Sequence, residues 1–259
     1  MCYYFNYLTH ITKPAMKPFL ILQSRPEDLA SQNEFDSMLT FGNLKKKDVR
    51  RVRMEREGMP KINLRDYSGV IVGGGPNNVS DPEKKKNASQ KKFERGLMKL
   101  LNEIVKKDFP YFGACYGFGT VIKNAGGNVS KKQYSENAGP VTIKIRAEAA
   151  DDKLMRGLPK SFRAFVGHKE ACFRLPKGAV WLAESAQCPY QMVRIKQNIY
   201  AAQFHPELDA CEFCVRVDVY KNYGYFDPKD AEKLKKKAMR EKITTPMEIL
   251  RRFTEFYGS

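Results

Sequence analysis

Two rhythms of apolar and polar residues run along this chain. Residues 19–22 and 69–72 are short, unbroken apolar runs, the pattern of strands buried on both faces of a parallel sheet. Between them Leu29, Phe35, Met38 and Leu39 recur at helical spacing over 27–41, and Gly42 closes that segment. Residues 49–53 read as a further short strand. Ser89 can cap a long helix that ends at Lys107 and carries Phe93, Leu97, Leu100, Leu101 and Ile104 on its inner face. An apolar strand follows at 111–114. A helical pattern resumes after Cys115 and stops at Ala125-Gly126-Gly127. This β-α-β-α succession predicts an α/β fold of three layers, an open and mostly parallel sheet with helices on both faces.

From 128 to 204 the rhythm changes to strands, at 141–145, 162–166, 179–183, 191–195 and 199–204. Pro159, Pro176-Lys177-Gly178 and Pro189 punctuate this added, strand-rich segment. Residues 208–259 read as a helical C-terminal extension, in which Thr245-Pro246-Met247-Glu248 has the form of a capping box. Residues 1–15 carry no period and end near Pro14. They are expected to be an extension outside the fold, with Met16 the natural start and 16–259 a single domain.

Composition changes this picture only slightly. A chain of 259 residues with 42% hydrophobic content can bury one sizeable core. The balance of 46 Lys+Arg against 29 Asp+Glu gives +17, which raises the question of nucleic acid. The charge is scattered in short Lys runs at 45–47, 84–86, 91–92, 131–132 and 235–237, without interleaved aromatics or a nucleic-acid-binding signature. A solvated, Lys-rich surface is the reading adopted. Six cysteines at irregular spacing do not form a disulfide framework, and Cys211-x-x-Cys214 lacks the second ligand pair of a structural zinc site. No apolar run reaches the roughly 20 residues of a membrane span. The aromatic N-terminus does not resemble a secretory signal. A cytoplasmic protein with no metal and no cofactor is expected.

The candidate chemistry lies where strands end. In Tyr111-Phe112-Gly113-Ala114-Cys115-Tyr116-Gly117-Phe118-Gly119 an apolar strand runs into a cysteine flanked by small residues, the pattern of a nucleophile elbow. Gly113 and Gly117 let the two backbones approach, and a helix N-terminus beside a sulfur favours the nucleophilic thiolate. The competing reading is a buried cysteine in a tight turn. The strand at 199–204 ends in His205-Pro206-Glu207, where a carboxylate can hold an imidazole whose other nitrogen faces a sulfur. Gly73-Gly74-Gly75 ends a third strand and permits close approach of main chain to a ligand, though it is not a P-loop.

Taken together, these residues resemble a class I (triad) glutamine amidotransferase domain, closest to the glutaminase portion of GMP synthase. The resemblance is carried by VIVGGGPNNVSD at 70–81, FGACYGFG at 112–119, GHKEA at 167–171 and the stretch 180–207 that ends in HPE. It implies a flavodoxin-like fold, Cys115 as nucleophile, His205 as general base and acid, and Glu207 as the orienting carboxylate. It also implies the main-chain N–H groups of Gly75 and Tyr116 as an oxyanion hole. Gly74, Gly117 and His168 are the candidate substrate-binding residues. One position departs from the family pattern Gly-x-Cys-x-Gly-x-Gln: Gly119 stands where the glutamine belongs. Loss of that amide removes up to four hydrogen-bonding positions and is expected to enlarge the pocket.

Three readings follow. The first is a glutaminase that passes ammonia to a separate synthetase or acceptor enzyme, as a stand-alone relative of the family. The second, motivated by Gly119, is a hydrolase of another γ-glutamyl amide or peptide. The third is a non-catalytic regulatory or nucleic-acid-binding protein on the same fold. A homo-oligomer is compatible with all three.

Overall fold

In the computed structural model, which describes residues 17–258, the chain runs β1 (Phe19–Gln23), α1 (Asp28–Phe41), β2 (Val49–Arg53), α2 (Met54–Glu57) and β3 (Gly69–Val72). It continues through α3 (Ala88–Lys107), β4 (Tyr111–Ala114) and α4 (Tyr116–Asn124). The strand-rich segment holds β5 (Asn128–Ser130), β6 (Glu136–Ile145), β7 (Ser161–His168), β8 (Ala171–Arg174), β9 (Val180–Glu184), β10 (Met192–Ile195) and β11 (Ile199–Ala202). Three helices close the chain, α5 (Ala210–Tyr220), α6 (Ala231–Ala238) and α7 (Thr245–Gly258). The extension expected at 1–15, with Met16 as the start, lies outside the described residues.

One nine-stranded sheet has the order β2-β1-β3-β4-β11-β10-β9-β6-β7. Its first five strands are mutually parallel, and the other four join antiparallel beyond β11. β5 and β8 form a separate antiparallel pair. The parallel strands are apolar throughout because both faces are covered. In β1, Phe19 and Ile21 face one core with Phe35 and Met38 of α1 and Leu250 and Phe253 of α7. Leu20 and Leu22 face the opposite core with Leu97 and Leu101 of α3 and Val121 of α4. Each such side chain contributes about 1.5–3 kcal/mol when fully buried. A third cluster packs α5 and α6 over the antiparallel half through Phe165, Phe213 and Val217.

The expected elements recur with local differences. The cap of α3 is Asn87, whose side chain accepts from Gln90 N at 2.7 Å, while Ser89 donates instead to the Glu55 carbonyl. Thr245 opens α7, and Glu248 pairs with Arg251 and Arg252 rather than reaching back as a capping box would. No described helix is long and apolar enough to cross a membrane.

The parallel order β2-β1-β3-β4-β11 reverses direction at β1, which makes the carboxyl ends of β1 and β3 a topological switch point, where α/β sheets bind ligands. β4 and β11 end at the same edge, so Arg25, Gly73–Gly75, Cys115 and His205 gather there.

Candidate active site

Cys115 occupies the corner between β4 and α4 with φ 51° and ψ −95°, a left-handed conformation rare for a residue with a Cβ. Strain of this kind costs of order 1–3 kcal/mol and persists only where surroundings enforce it. Here the Cys115 N–H donates to the Ala202 carbonyl at 2.8 Å and its own carbonyl accepts from Gly119 N. The buried hydroxyls of Tyr111 and Thr120 both donate to the Gly117 carbonyl and brace the first turn of α4. A Cβ on Gly117 would stand 2.4 Å from the Val72 carbonyl oxygen, and one on Gly113 would stand 2.6 Å from the Gly117 backbone. Both glycines are therefore required for strand and helix to meet.

His205 follows β11, with its N–H on the Phe165 carbonyl. Its Nδ1 lies 2.9 Å from Glu207 Oε1, and the imidazole lines the same cavity as the Cys115 sulfur, which favours its charged form. Burial pulls the His205 pKa down, but the Glu207 carboxylate and the Cys115 partner outweigh it and hold the imidazole at about 9. Glu207 is completely buried. Burial raises its pKa, yet His205, then Arg216 and Arg25, carry it well below the usual carboxylate range.

Behind this trio stands a buried charge network. Arg25 Nε bonds Glu34 Oε1 at 2.8 Å, and its Nη1 donates to the Tyr220 hydroxyl. Glu34 also accepts from Gly74 N and from Gln23 Nε2. Arg216, on α5, donates through Nε to Asn33 Oδ1 at 2.9 Å. Its Nη1 lies 3.8 Å from Glu207 Oε1 and 3.9 Å from Glu34 Oε1, beyond hydrogen-bond range. Both Arg216 terminal nitrogens and Glu207 Oε2 are buried without a hydrogen-bond partner. Burial, with repulsion from Arg25, pushes the Arg216 pKa down to about 10.

Two cavities open at Cys115. The larger has about 490 Å³ of atom-free space, part of it open to solvent, and is lined by Cys115 and His205 together with Arg25, Arg216, Tyr220 and Tyr225. The smaller shares Cys115 and Gly75 with it and is lined further by Asn77, Tyr116, His168, Glu170 and Gln203.

The structure brings Cys115, His205, Glu207, Gly75 and Tyr116 together, and among the described residues neither the Gly75 nor the Tyr116 N–H is taken by a protein acceptor. Gly74 and Gly117 border the site without lining either cavity. Their N–H groups are occupied by Glu34 and by the Gly73 carbonyl, so they shape the site by close packing. His168 borders the smaller cavity, but both ring nitrogens are engaged, Nδ1 with the Glu170 carbonyl and Nε2 with Glu136 Oε2 at 2.8 Å. With Cys188 these two residues form a buried cluster of metal-ligand spacing, whose Glu136 is already bonded by His168, Ser185 and Gln191.

The expected enlargement at Gly119 is not found. A Cβ there would meet Glu170 Oε1 at 3.1 Å and Val79 Cγ1 at 3.2 Å, so the space is already filled. Glu170 is buried and accepts from the Val79 and Ser80 N–H groups, and burial raises its pKa.

Arg25, Glu34 and Arg216 escaped the sequence reading, as did a place at the site for Glu170, Tyr220 and Tyr225. A signal existed for Arg216: it is a lone cation in the buried stripe Phe213, Arg216, Val217, Tyr220 of α5. Arg25 likewise follows the apolar strand β1 at the carboxyl edge, where charged residues face ligands rather than core.

A family model described as glutamine amidotransferase class-I matches residues 40–213. Among curated relatives, the glutamine-hydrolysing GMP synthase of Thermosipho africanus is 31% identical over 147 residues, 56% of this chain and 25% of that protein. That of Staphylococcus carnosus is 27% identical over 197 residues, 72% of this chain and 35% of that protein. The chain thus spans about a quarter to a third of the length of these relatives. A glutamine amidotransferase structure from Thermotoga maritima superimposes with a TM-score of 0.75 at 21% identity, covering 93% of this chain and 98% of the other. One from Methylobacillus flagellatus gives 0.69 at 20% identity, covering 94% and 93%. At these identities the structural likeness is one of fold.

Proposed function

This chain belongs to the class I glutamine amidotransferases, and from that premise we propose that it hydrolyses the side-chain amide of glutamine to glutamate and ammonia through a γ-glutamyl thioester on Cys115. The observation that carries the reading is the strained elbow cysteine sharing one cavity with an imidazole held 2.9 Å from a buried carboxylate.

In the proposed reaction the Cys115 sulfur attacks the γ-carbonyl carbon. The carbonyl oxygen becomes an oxyanion and takes the N–H groups of Gly75 and Tyr116, a donor pair whose members are each worth roughly 3 kcal/mol in such sites. His205, held in orientation by Glu207, gives a proton to the amide nitrogen as the C–N bond breaks and ammonia departs. The same imidazole then takes a proton from water, which attacks the thioester and releases glutamate. Glu207 stays ionised throughout and stabilises the imidazolium. The ammonia is proposed to pass to a separate acceptor enzyme, a reading supported by the relatives named as glutamine-hydrolysing GMP synthases.

The test is glutamate release from glutamine by the purified chain beside a Cys115→Ala control. Release that vanishes in the variant is expected. Equal release by both proteins would remove Cys115 from the chemistry.

A further inference from the structure

We propose that the larger cavity at Cys115 receives the amine half of a γ-glutamyl amide, and that this amine carries an acidic group, as in a γ-glutamyl peptide with a free carboxylate. The inference rests on the reading that Cys115 forms a γ-glutamyl thioester, and it adds the substrate class.

The reaction itself decides which half of the substrate goes where. The departing nitrogen collects its proton from His205, so it leaves on the imidazole's side of the sulfur. The larger cavity is the one that Cys115 and His205 line together. The smaller cavity touches Cys115, Gly75 and Tyr116 but not His205, which leaves it for the glutamyl half.

Ammonia needs no recognition, yet the amine-side cavity is built for something larger and acidic. Arg25 and Arg216 are 4% and 6% exposed, and both reach its wall. Gly74 makes room for Arg25 beside the imidazole: a Cβ there would meet Arg25 Nη2 at 2.6 Å and His205 Cε1 at 2.8 Å. The two guanidiniums are balanced in charge by Glu34 and Glu207, and Arg25 is bonded to Glu34 and the Tyr220 hydroxyl, but Arg216 is not satisfied in hydrogen bonds. The Arg216 Nη1 contacts to both carboxylates are 3.8–3.9 Å long, and Nη1 and Nη2 have no hydrogen-bond partner. A buried charged donor left unpaired is costly, and a carboxylate accepting from a guanidinium fork answers that deficit directly. Phe213, Tyr220, Tyr225 and Phe226 complete the wall and suit an apolar or aromatic body between the acid and the scissile amide. The chemistry balances as for glutamine: the C–N bond breaks, the amine leaves with the His205 proton, and water releases glutamate from the thioester.

The test compares kcat/KM for glutamine, γ-glutamyl-phenylalanine and the C-terminal amide of γ-glutamyl-phenylalanine. The free acid is expected to exceed both glutamine and the amidated conjugate by at least tenfold. In Arg216→Gln the acid-to-amide ratio is expected to fall towards one; being a ratio within one protein, it is insensitive to partial loss of folded enzyme. Calorimetry on Cys115→Ala supplies a second readout, with tighter binding of the acid than of its amide expected. Turnover of glutamine with no preference for the acid overturns this inference and leaves the glutaminase standing. No turnover of any of the three by wild type overturns the thioester reading and this inference with it.

Discussion

His205 and Glu207 each hold the other in its charged form, and the pH dependence of stability follows from that. The imidazole is raised from an ordinary 6.5 to about 9, so its contribution is complete below pH 6.5 and lost as the pH rises through 9. Glu207 is depressed below an ordinary 4.5, so its share is present above that pH and lost as the pH falls through the depressed value. The pair therefore stabilises most between about pH 4.5 and 6.5. Glu207→Gln is expected to lower the Tm most in that window, with the gap closing towards pH 10; a gap independent of pH would refute the coupling. The same variant should lower the His205 pKa, read by NMR titration of the ring, because burial would then act with less opposition. It should also reduce glutamate release by roughly a hundredfold or more. Cys115, His205 and Glu207 were legible in the sequence because each sits at a strand end in a short, chemically distinctive run. Arg216 was missed although its place in a buried helical stripe marks an interior cation, because a helix position does not tell which strand ends it will face.

At the scale of elements, the elbow depends on β3, β4 and α4 approaching more closely than side chains allow. Gly117→Ala would drive a methyl to 2.4 Å from the Val72 carbonyl, a backbone atom that cannot step aside. A loss of about 1–3 kcal/mol in urea unfolding is expected, with a larger fall in glutamate release as Cys115 moves from His205. Wild-type stability in this variant would show that the contact can relax. Asn87→Ala, which removes the cap of α3, should cost about 1 kcal/mol in denaturant unfolding. Element types followed from periodicity, whereas the boundaries were decided by partners. β6 begins at Glu136 and not near 141 because His168, Ser185 and Gln191 satisfy that buried carboxylate. β5 and β8 were missed because three or four residues, partly exposed, carry no readable alternation.

Over the whole molecule, the C-terminal helices join the catalytic half to its covering. Phe253 of α7 packs edge-on against Phe112 of β4 at 5.4 Å and lies 6.1 Å from Phe19 of β1, so α7 is part of the core. Phe253→Ala should cost about 3–5 kcal/mol, measured by denaturant unfolding; a loss under 1 kcal/mol would mean that α7 is an appendage. α5 and the segment after it bring Arg216, Tyr220, Tyr225 and Phe226 to the cavity at Cys115. Much was determined by the sequence alone: a parallel α/β sheet, an elbow cysteine, and a His-Pro-Glu at a neighbouring strand end. These are local, since buried strands must be apolar and a sharp turn must have small residues, whatever the rest of the chain does. What only the tertiary structure decided is the environment of that chemistry. The room expected at Gly119 is filled by Glu170, 51 positions later in the chain, and the guanidinium facing the back of Glu207 comes from α5. Cavities and buried charge networks are sums over residues distant in sequence, and no local pattern records which of them will meet.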